Sequence, residues 1–291
     1  MIHVKRTQIP AVLEGENSKG GKEYARWYKY KDDLKHGIPT KKPGEFSAYA
    51  DESVKLALIA MFHKKCAYCD RSTTVGDVEH WRPKNAISSE DNKKVADGYW
   101  WLAARWENLL FSCMECNQRR FRELDDQQGL SIAGKGTQFP LKYETKRAKD
   151  VGKEIDETPL LLNPCDDDPE KFMTIAVTGK EKGVLQPKLD SDNKPDQRAD
   201  ASIKIFGLNE VTYVQRRIQL LDDLQNLMED LKDLFASLPE DLTTPQADDI
   251  FRKINRKLTK LKPYLKDEQQ DMLLIHQVLV PYLKGLGLEI G

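Results

Sequence analysis

The sequence has no hydrophobic run long enough to cross a membrane. Hydrophobic residues make up 39% of the 291-residue chain, but no stretch of roughly 20 apolar residues, the length of a membrane-spanning helix, occurs in it. The basic N-terminus, Met1 to Arg6, is not followed by the apolar segment that a secretory signal needs. We therefore expect a cytoplasmic protein with no membrane partner.

The sequence also lacks the cysteine framework of a disulfide-stabilised protein. Of its five cysteines, Cys66 with Cys69 and Cys113 with Cys116 form two Cys-x-x-Cys pairs, and Cys165 stands apart. An odd count with close pairs fits a metal site in a reducing compartment better than disulfides. Because four thiolates fill the tetrahedral shell of Zn²⁺, we predict a closed, structural zinc site. Four unrelated buried cysteines are the alternative.

The sequence has almost no excess of positive or negative residues, since its net charge is −1. The distribution is uneven, however. Residues 1–122 contain 22 Lys and Arg against 16 Asp and Glu, and residues 123–291 contain 24 against 31. A basic first part would allow contact with a polyanion on one face only. Ordinary scatter of surface charge is the alternative interpretation.

The segment between the cysteine pairs contains two predicted strands. Residues 73–80 alternate enough to form a short strand that ends in Asp77-Val78-Glu79-His80. Residues 108–112 predict a second strand, which leads directly into Cys113. Between them, residues 99–106 predict a helix with its aromatic side chains turned inward.

A helix is predicted after the second strand. It begins near Glu115, and residues 117–126 also have a helical pattern. Strand, strand and helix in this order place Glu79 and His80 on the first strand and Asn117 on the helix. This order is the ββα-metal arrangement.

These motifs together resemble the HNH endonuclease family. They are Cys66-x-x-Cys69, Glu79-His80-x-x-Pro83, Trp106-x-Asn108-Leu109 and Cys113-x-x-Cys116-Asn117-x-x-Arg120. Further motifs resemble, more narrowly, the HNH subunit of Septu-type anti-phage defence systems: Glu-His-Trp-Arg-Pro-Lys at 79–84, Tyr-Trp-Trp-Leu at 99–102, Leu161-Leu162-Asn163-Pro164 and Gly207-Leu208-Asn209. The family more often has Asp before the histidine, where this chain has Glu79.

The resemblance implies an α+β fold and a hydrolytic activity. The expected fold is a zinc-stapled ββα-metal nuclease core within a mostly α-helical protein. The expected activity is metal-dependent hydrolysis of DNA phosphodiester bonds in anti-phage defence. The expected partner is an ATPase subunit of the same system.

Specific residues carry the expected chemistry. His80 would be the general base, and Glu79 and Asn117 would offer oxygen ligands to a catalytic Mg²⁺ or Mn²⁺. By the resemblance, Asn108 would orient the strand that carries His80. Asp77 is either an additional ligand or a turn residue. Four basic residues are candidate phosphate contacts, with a solvated charged surface as the alternative: Arg82, Lys84, Arg119 and Arg120.

The rest of the chain is predicted to support this core. Helices are predicted at about residues 22–35 and 51–63, and a strand at 172–177 that pairs with 183–185. The aromatic residues Trp27, Tyr28 and Tyr30 are predicted to pack in the core rather than stack on bases. The predicted segments are an N-terminal region (1–50), the HNH core (51–130), a mixed strand and loop segment (131–197) and a helical C-terminal region (198–291).

The C-terminal region contains a leucine repeat with spacings of four and three. Its members are Leu220, Leu224, Leu227, Leu231, Leu234 and Leu238. Such a repeat predicts a helix that packs on another helix, and two further helices are predicted at about 246–261 and 268–283. An intramolecular hairpin is the plain interpretation. Docking on a partner, or a homo-oligomer through these helices, is the alternative.

Three other functions compete with the leading one. A non-catalytic zinc-finger adaptor that binds nucleic acid or an ATPase would not need Glu79, His80 and Asn117. A stand-alone restriction-type nuclease would act without a partner. An RNA- or tRNA-cleaving nuclease would use the same residues, since this chemistry acts on a phosphate and reads no base.

Overall fold

The computed structural model describes residues 1–125 and 129–288. The end of the predicted helix at 117–126 and the last three residues of the C-terminal region lie outside the described residues. The described helices are α1 (Lys19–Lys35), α2 (Glu52–Met61), α3 (Met114–Asn117), α4 (Gln197–Phe206), α5 (Val211–Ala236), α6 (Pro245–Leu261) and α7 (Met272–Gly285). The described strands are β1 (Asp77–His80), β2 (Ala86–Ser88), β3 (Lys94–Asp97), β4 (Leu109–Ser112), β5 (Arg120–Glu123), β6 (Leu130–Ala133), β7 (Met173–Ile175) and β8 (Leu185–Pro187).

The strands form small antiparallel ribbons. The four pairs are β1 with β4, β2 with β3, β5 with β6 and β7 with β8, each a two-stranded sheet. The prediction of a mixed α and β fold is therefore confirmed. A two-stranded ribbon is marginally stable alone, so each ribbon depends on the helices and loops that cover it.

The N-terminal helix α1 begins at Lys19, three residues before the predicted start at residue 22, and ends at the predicted Lys35. The Ser18 side chain caps it by accepting from the Gly21 N–H at 3.0 Å. Trp27 stacks on Phe46, with ring centroids 5.5 Å apart, so its predicted packing role is confirmed. Tyr28 is 51% exposed, and the same prediction is wrong for it.

Helix α2 supports the first cysteine pair. Asp51 caps it by accepting from the Ser53 N–H at 3.0 Å, and Val54 and Leu58 on its inner face are fully buried. The helix packs on β1 and β4, and two residues with positive φ, His63 and Lys64, then turn the chain into the first pair. This element agrees with the predicted helix at 51–63.

The predicted helix at 117–126 is wrong. Helix α3 is a single turn that ends at Asn117, and Arg120–Glu123 is a strand paired with Leu130–Ala133. Arg122 is buried on this strand and its side chain donates to the Phe206 carbonyl at 3.1 Å. Tertiary pairing therefore overrides the helical propensity of this arginine-rich segment.

The predicted helix at 99–106 is also wrong in form. The segment contains two short 3₁₀ turns, Trp100–Leu102 and Trp106–Asn108, separated by Arg105 in an extended conformation. Its aromatics do turn inward, since Trp101 and Trp106 are each 3% exposed. The segment does not form a regular helix because burial of its large aromatic side chains determines the backbone conformation.

The C-terminal region is helical, as predicted. Helix α5 packs along α6 and α7, and its leucines Leu220, Leu221, Leu224 and Leu231 are buried. The intramolecular hairpin is therefore confirmed. The predicted pairing of 172–177 with 183–185 is confirmed in kind as β7 with β8.

The buried hydrophobic side chains form one connected cluster with members from all four predicted segments. In the described part of the chain, no helix has both the length and the apolar character needed to cross a membrane.

Candidate metal and catalytic sites

The two cysteine pairs meet in space. The four sulfurs of Cys66, Cys69, Cys113 and Cys116 all lie within 4.8 Å of one another, and the Cys69 and Cys113 sulfurs are 3.8 Å apart. Sulfurs bound tetrahedrally at about 2.3 Å from one Zn²⁺ are separated by about 3.8 Å. The donor set therefore fits the predicted closed, four-thiolate zinc site.

Backbone hydrogen bonds shape the first pair into a tight turn. The Asp70 N–H donates to the Cys66 carbonyl at 3.0 Å, and Asp70 takes a positive φ of 60°. The Ala67 N–H donates to the Phe111 carbonyl on β4 at 2.9 Å. The Cys113 N–H donates to the Cys66 sulfur at 3.3 Å, so the second pair is oriented by the first.

The thiols share their protons unequally. Hydrogen bonds from Cys113, Cys116 and Cys66 hold the pKa of the Cys69 thiol well below its ordinary value. Hydrogen bonds with Cys113, Cys66 and Cys69, together with burial, raise the pKa of the Cys116 thiol.

Strand β1 presents its acidic residues on one side. It pairs with β4 in the register Asp77 with Ser112 and Glu79 with Leu110. Alternate residues of a strand face the same side, so Asp77 and Glu79 share a face. The register ends with His80 opposite Leu109.

Asn117 lies beside Asp77. Its side-chain amide donates to Asp77 Oδ2 at 3.0 Å, and both residues are partly exposed. Carboxylate and amide oxygens are ligands that Mg²⁺ and Mn²⁺ accept. The helix end and the strand therefore bring together two oxygen-bearing side chains, one of which, Asp77, the sequence had left undecided.

Glu79 is held by a lysine that sequence reasoning missed. The Lys135 ammonium donates to Glu79 Oε1 at 2.5 Å and to the His80 carbonyl at 2.9 Å. The two side chains are only 1% and 8% exposed. Burial raises the pKa of the Glu79 carboxyl, although the Lys135 charge acts in the opposite direction.

The turn that carries Lys135 requires glycine. Gly134 has a φ of 104°, and a Cβ there would lie 1.9 Å from the Gln118 carbonyl oxygen. The Lys135 N–H donates to the Cys116 carbonyl at 2.8 Å, and the Gly136 N–H to the Asn117 carbonyl at 2.6 Å. Gly-Lys-Gly was a readable turn signal, but nothing in the sequence connects it to Glu79.

His80 is a buried, neutral imidazole. Its Nε2 lies 2.9 Å from the Ala103 carbonyl oxygen. Because a carbonyl only accepts, Nε2 carries the proton and Nδ1 is unprotonated. Burial, together with the charges of Lys84 and Lys135, lowers the pKa of His80 to about 3. The Tyr49 ring packs edge-on against the imidazole, with centroids 4.6 Å apart.

Asn108 fastens the chain directly after His80. Its Oδ1 accepts from the Arg82 N–H at 2.8 Å, and its Nδ2 donates to the Arg82 carbonyl at 2.9 Å. The Trp81 N–H donates to the Asn108 carbonyl at 2.9 Å. The segment 81–82 is thereby fixed to the end of β4.

The four candidate phosphate contacts have different surroundings. Arg82 is engaged with the buried carboxylate of Glu157 at 3.0 Å. The Lys84 ammonium donates to the Tyr49 hydroxyl at 2.6 Å. Arg119 donates to the Glu90 carbonyl at 2.6 Å, and Arg120, which is exposed, donates to Gln118 at 2.7 Å.

A catalytic ion here would have few protein ligands. Among the described residues, the cysteines are the one group of three or more His, Cys, Asp or Glu side chains close enough to share an ion. Asp77, Glu79 and Asn117 still supply hard oxygens on one strand face and the adjoining helix end. Mg²⁺ typically binds through one or two carboxylates and keeps several waters, so these residues fit such an ion.

Comparison with known proteins identifies close relatives. No protein-family model matches the chain. It is 33% identical to the Septu protein PtuB of Bacillus mycoides (strain KBAB4) over 269 residues, which is 90% of this chain and 81% of that protein. A Septu protein PtuB of Bacillus thuringiensis is 32% identical over 124 residues, covering 41% of this chain and 37% of that protein. The Septu protein PtuA of Bacillus mycoides (strain KBAB4) is 25% identical over 174 residues, covering 57% of this chain and 20% of PtuA.

Proposed function

This chain belongs to the family of the Septu protein PtuB, and from that premise we propose that it is a metal-dependent HNH endonuclease that hydrolyses DNA in anti-phage defence. One observation carries the proposal. A neutral histidine ends strand β1, and the other face of this strand has two carboxylates, of which Asp77 contacts Asn117 next to the four-cysteine cluster. A protein that only needed a zinc staple would not need this second group of side chains.

His80 is the general base in this proposal. The Ala103 carbonyl accepts from Nε2 at 2.9 Å, which leaves Nδ1 free to accept a proton from a water. The contact therefore selects the tautomer, as the partner of a catalytic histidine commonly does. The Tyr49 ring restricts the imidazole from the side.

The carboxylates of Glu79 and Asp77 and the amide oxygen of Asn117 would hold Mg²⁺ or Mn²⁺. When bound, such an ion stabilises negative charge on the scissile phosphate and the leaving oxygen. Lys135 holds the Glu79 carboxylate in place through its 2.5 Å contact, and its charge opposes the rise that burial causes in the pKa of this carboxyl. Asp77 and Asn117 are the more accessible of these ligands.

Asn108 and the basic residues act in positioning and binding. The contacts of Asn108 to residue 82 support its role in orienting the strand that carries His80. Arg119 and Arg120 lie next to Asn117 in sequence and would contact phosphates on the DNA. Lys84 sits beside Tyr49 near the base and would contact the same strand. Arg82 is first a partner of Glu157, so its contribution to DNA binding would be the smallest.

The four cysteines would bind a structural Zn²⁺. Cys116 directly precedes Asn117, so loss of this staple would also displace a ligand of the catalytic ion. The partner would be another protein of the same defence system, which the similarity to PtuA as well as to PtuB supports. The resemblance of the motifs implies that this partner is an ATPase subunit. A homo-oligomer through the C-terminal helices remains part of the proposal.

Cleavage assays test the proposed substrate and partner. Purified chain, with and without the ATPase subunit, is incubated with labelled DNA and labelled RNA in the presence of Mg²⁺ or EDTA. We expect DNA nicking that EDTA abolishes and that the ATPase subunit stimulates. Cleavage of RNA alone would contradict the DNA assignment. Equal activity with and without the ATPase subunit would favour a stand-alone nuclease.

A further inference from the structure

The first cysteine pair is tied to the C-terminal helices. Lys65 and Asp70, which flank the pair, form a buried ion pair at 3.0 Å. Asp70 Oδ2 accepts from the Met272 N–H, the first residue of α7, at 2.8 Å. The Lys65 ammonium donates to the Gln269 carbonyl, just before α7, at 2.8 Å. The residues that flank the first cysteine pair therefore hold the start of α7 in place.

Helix α5 reaches the same place through Tyr213. This side chain is 4% exposed, and the guanidinium carbon of Arg71 lies 4.2 Å from its ring centroid, with that of Arg122 at 5.0 Å. Arg71 follows the first cysteine pair by two residues and forms an ion pair with Glu115 at 3.4 Å. Arg216 lies 5.9 Å from the same centroid, so three cations surround one buried ring beside the cysteines.

Several polar atoms in this shell are buried and, among the described residues, have no hydrogen-bond partner. They are the hydroxyls of Tyr68 and Tyr213, Nε of Arg71 and Nη2 of Arg122. Buried donors without partners are rare in native proteins. Their concentration around one cluster indicates an acceptor that ordinary protein oxygens do not supply there.

The remaining space excludes a sizeable ligand as that acceptor. The cavity against Cys69 has a volume of about 20 Å³, and Tyr68, Tyr213 and Arg217 also line it. About 10–15 Å³ of such volume is enough for one water, so the cavity holds a water and little more. Two residues that line this cavity can carry negative charge, Cys69 and Asp271. The Asp271 carboxylate is already paired with Arg216 at 2.7 Å, which leaves the cysteine sulfur.

Metal binding would give the sulfurs of the cluster their charge. One divalent cation and four thiols give a tetrathiolate complex with two net negative charges and release four protons. A buried charge of this size needs compensating cations and hydrogen bonds. Arg71 and Arg122 supply the cations, and the phenolic hydroxyls supply neutral donors.

We propose that helices α5 and α7 dock on the metal-loaded form of the four-cysteine centre, so that metal binding holds the C-terminal helical region on the rest of the chain. The inference rests on the proposed zinc site and is independent of the nuclease activity. Arg71, Arg122 and Tyr213 are positioning residues that act through the metal centre. The cysteine cluster then links the region proposed to meet a partner with the segment that contains Asn117.

Hydrogen exchange of the full-length chain tests the docking. Exchange is measured by mass spectrometry on the zinc-loaded protein and after removal of zinc, confirmed by metal analysis, with a chelator. We expect amides in α5 and α7 to lose most of their protection while those in α1, which does not contact the cluster, keep theirs. Unchanged protection of α5 and α7 in protein shown to be free of zinc would overturn the proposal.

Conservative variants test the residues. Tyr213→Phe removes only a hydroxyl, and Arg71→Gln replaces the charged guanidinium with a neutral amide. Affinity for Zn²⁺ is measured by competition with a chromophoric chelator. We expect each to bind about tenfold or more weakly, the usual effect of losing a partner of a metal ligand. Tyr282→Phe is the control, because its hydroxyl donates to the Met228 carbonyl at 2.8 Å, and it should match the parent.

The outcomes separate this inference from the nuclease. Parent-like affinity in both Tyr213→Phe and Arg71→Gln would overturn it. A parent chain that binds no metal would overturn both this inference and the zinc site. Cleavage by His80 variants is a separate readout, and it does not depend on either result.

Discussion

At the scale of single residues, Lys135 joins the two halves of the candidate site. Its ammonium contacts Glu79 and the His80 carbonyl on β1, while its own N–H bonds to the second cysteine pair through the Cys116 carbonyl. A buried ion pair whose two members lie 56 residues apart fixes the position of a strand relative to a turn. Lys135 is therefore a positioning residue in the proposed reaction.

Lys135→Met should destabilise the protein strongly. Removing one member of a buried pair leaves an unpaired buried charge, which costs about 3–5 kcal/mol. The free energy of unfolding, measured by denaturant titration, should fall by about that amount. Adding Glu79→Gln in the same chain should restore much of the lost stability, because no unpaired charge remains. A single Lys135→Met variant as stable as the parent would contradict the buried pair.

Asn108→Ala should affect activity more than substrate binding. The change removes the hydrogen bonds to the Arg82 backbone and leaves a partly buried N–H and carbonyl without these partners, a cost of about 1 kcal/mol. If Asn108 orients the base, the rate of single-turnover DNA nicking should fall while DNA affinity stays near the parent value. A variant with parent nicking rate would show that the orientation of His80 does not depend on it.

Residue-level chemistry was predictable where it is local. The cysteine pairs, Glu79-His80 and Asn117 were recognisable because each belongs to a short motif whose residues have a fixed spacing in the sequence. The partners of these residues were not, since Lys135 for Glu79 and Glu157 for Arg82 come from distant turns. Which charged side chains are buried depends on the tertiary fold, and the local sequence pattern does not predict it.

At the scale of elements, the four-cysteine centre acts as a staple. Cys113→Ser should reduce the zinc content per chain and lower the melting temperature, because one of four ligands is lost. Cys165→Ser is the matched control: Cys165 is also buried but lies outside the cluster, so this variant should retain zinc. Zinc content at the parent level in Cys113→Ser, with an unchanged melting curve, would refute the structural site.

The turn from Gly134 to Gly136 can be tested by adding one methyl group. Gly134→Ala combines a positive φ with a Cβ 1.9 Å from the Gln118 carbonyl oxygen. We expect stability to fall by more than the roughly 1–2 kcal/mol cost of a left-handed alanine, as read by denaturant unfolding. Gly152→Ala is the control, because Gly152 has a φ of 78° but open space around it. Equal effects of the two changes would contradict the close packing of this turn on Gln118.

Elements with clear periodicity were predicted well. Helices α2, α5, α6 and α7 have apolar or leucine repeats that can be recognised in the sequence alone. The segments at 99–106 and 120–123 failed because large aromatic rings and strand pairing decide their conformation. Short strands and single turns gain most of their stability from tertiary contacts, so their local sequence is a weak guide.

At the scale of the whole molecule, the C-terminal helices pack against the turn that contains the first cysteine pair. The C-terminal helices, more than 140 residues after the first cysteine pair in sequence, begin or pack against the residues that flank it. This contact could not be predicted from the sequence, because the leucine repeat predicts only that the C-terminal helices pack on one another. The consequence is that one cluster of four sulfurs lies between the candidate catalytic residues and the helices proposed to meet a partner.

The most direct test of the central claim is DNA nicking by the full-length His80→Ala variant in Mg²⁺, with His36→Ala as the control on an exposed histidine. Both proteins must first match the parent in zinc content and circular dichroism. The account predicts that His80→Ala loses nicking by a factor of about 100 or more, in the range of a lost general base, while His36→Ala keeps the parent rate. A correctly folded His80→Ala variant that nicks DNA at the parent rate would contradict the assignment of this chain as an HNH nuclease.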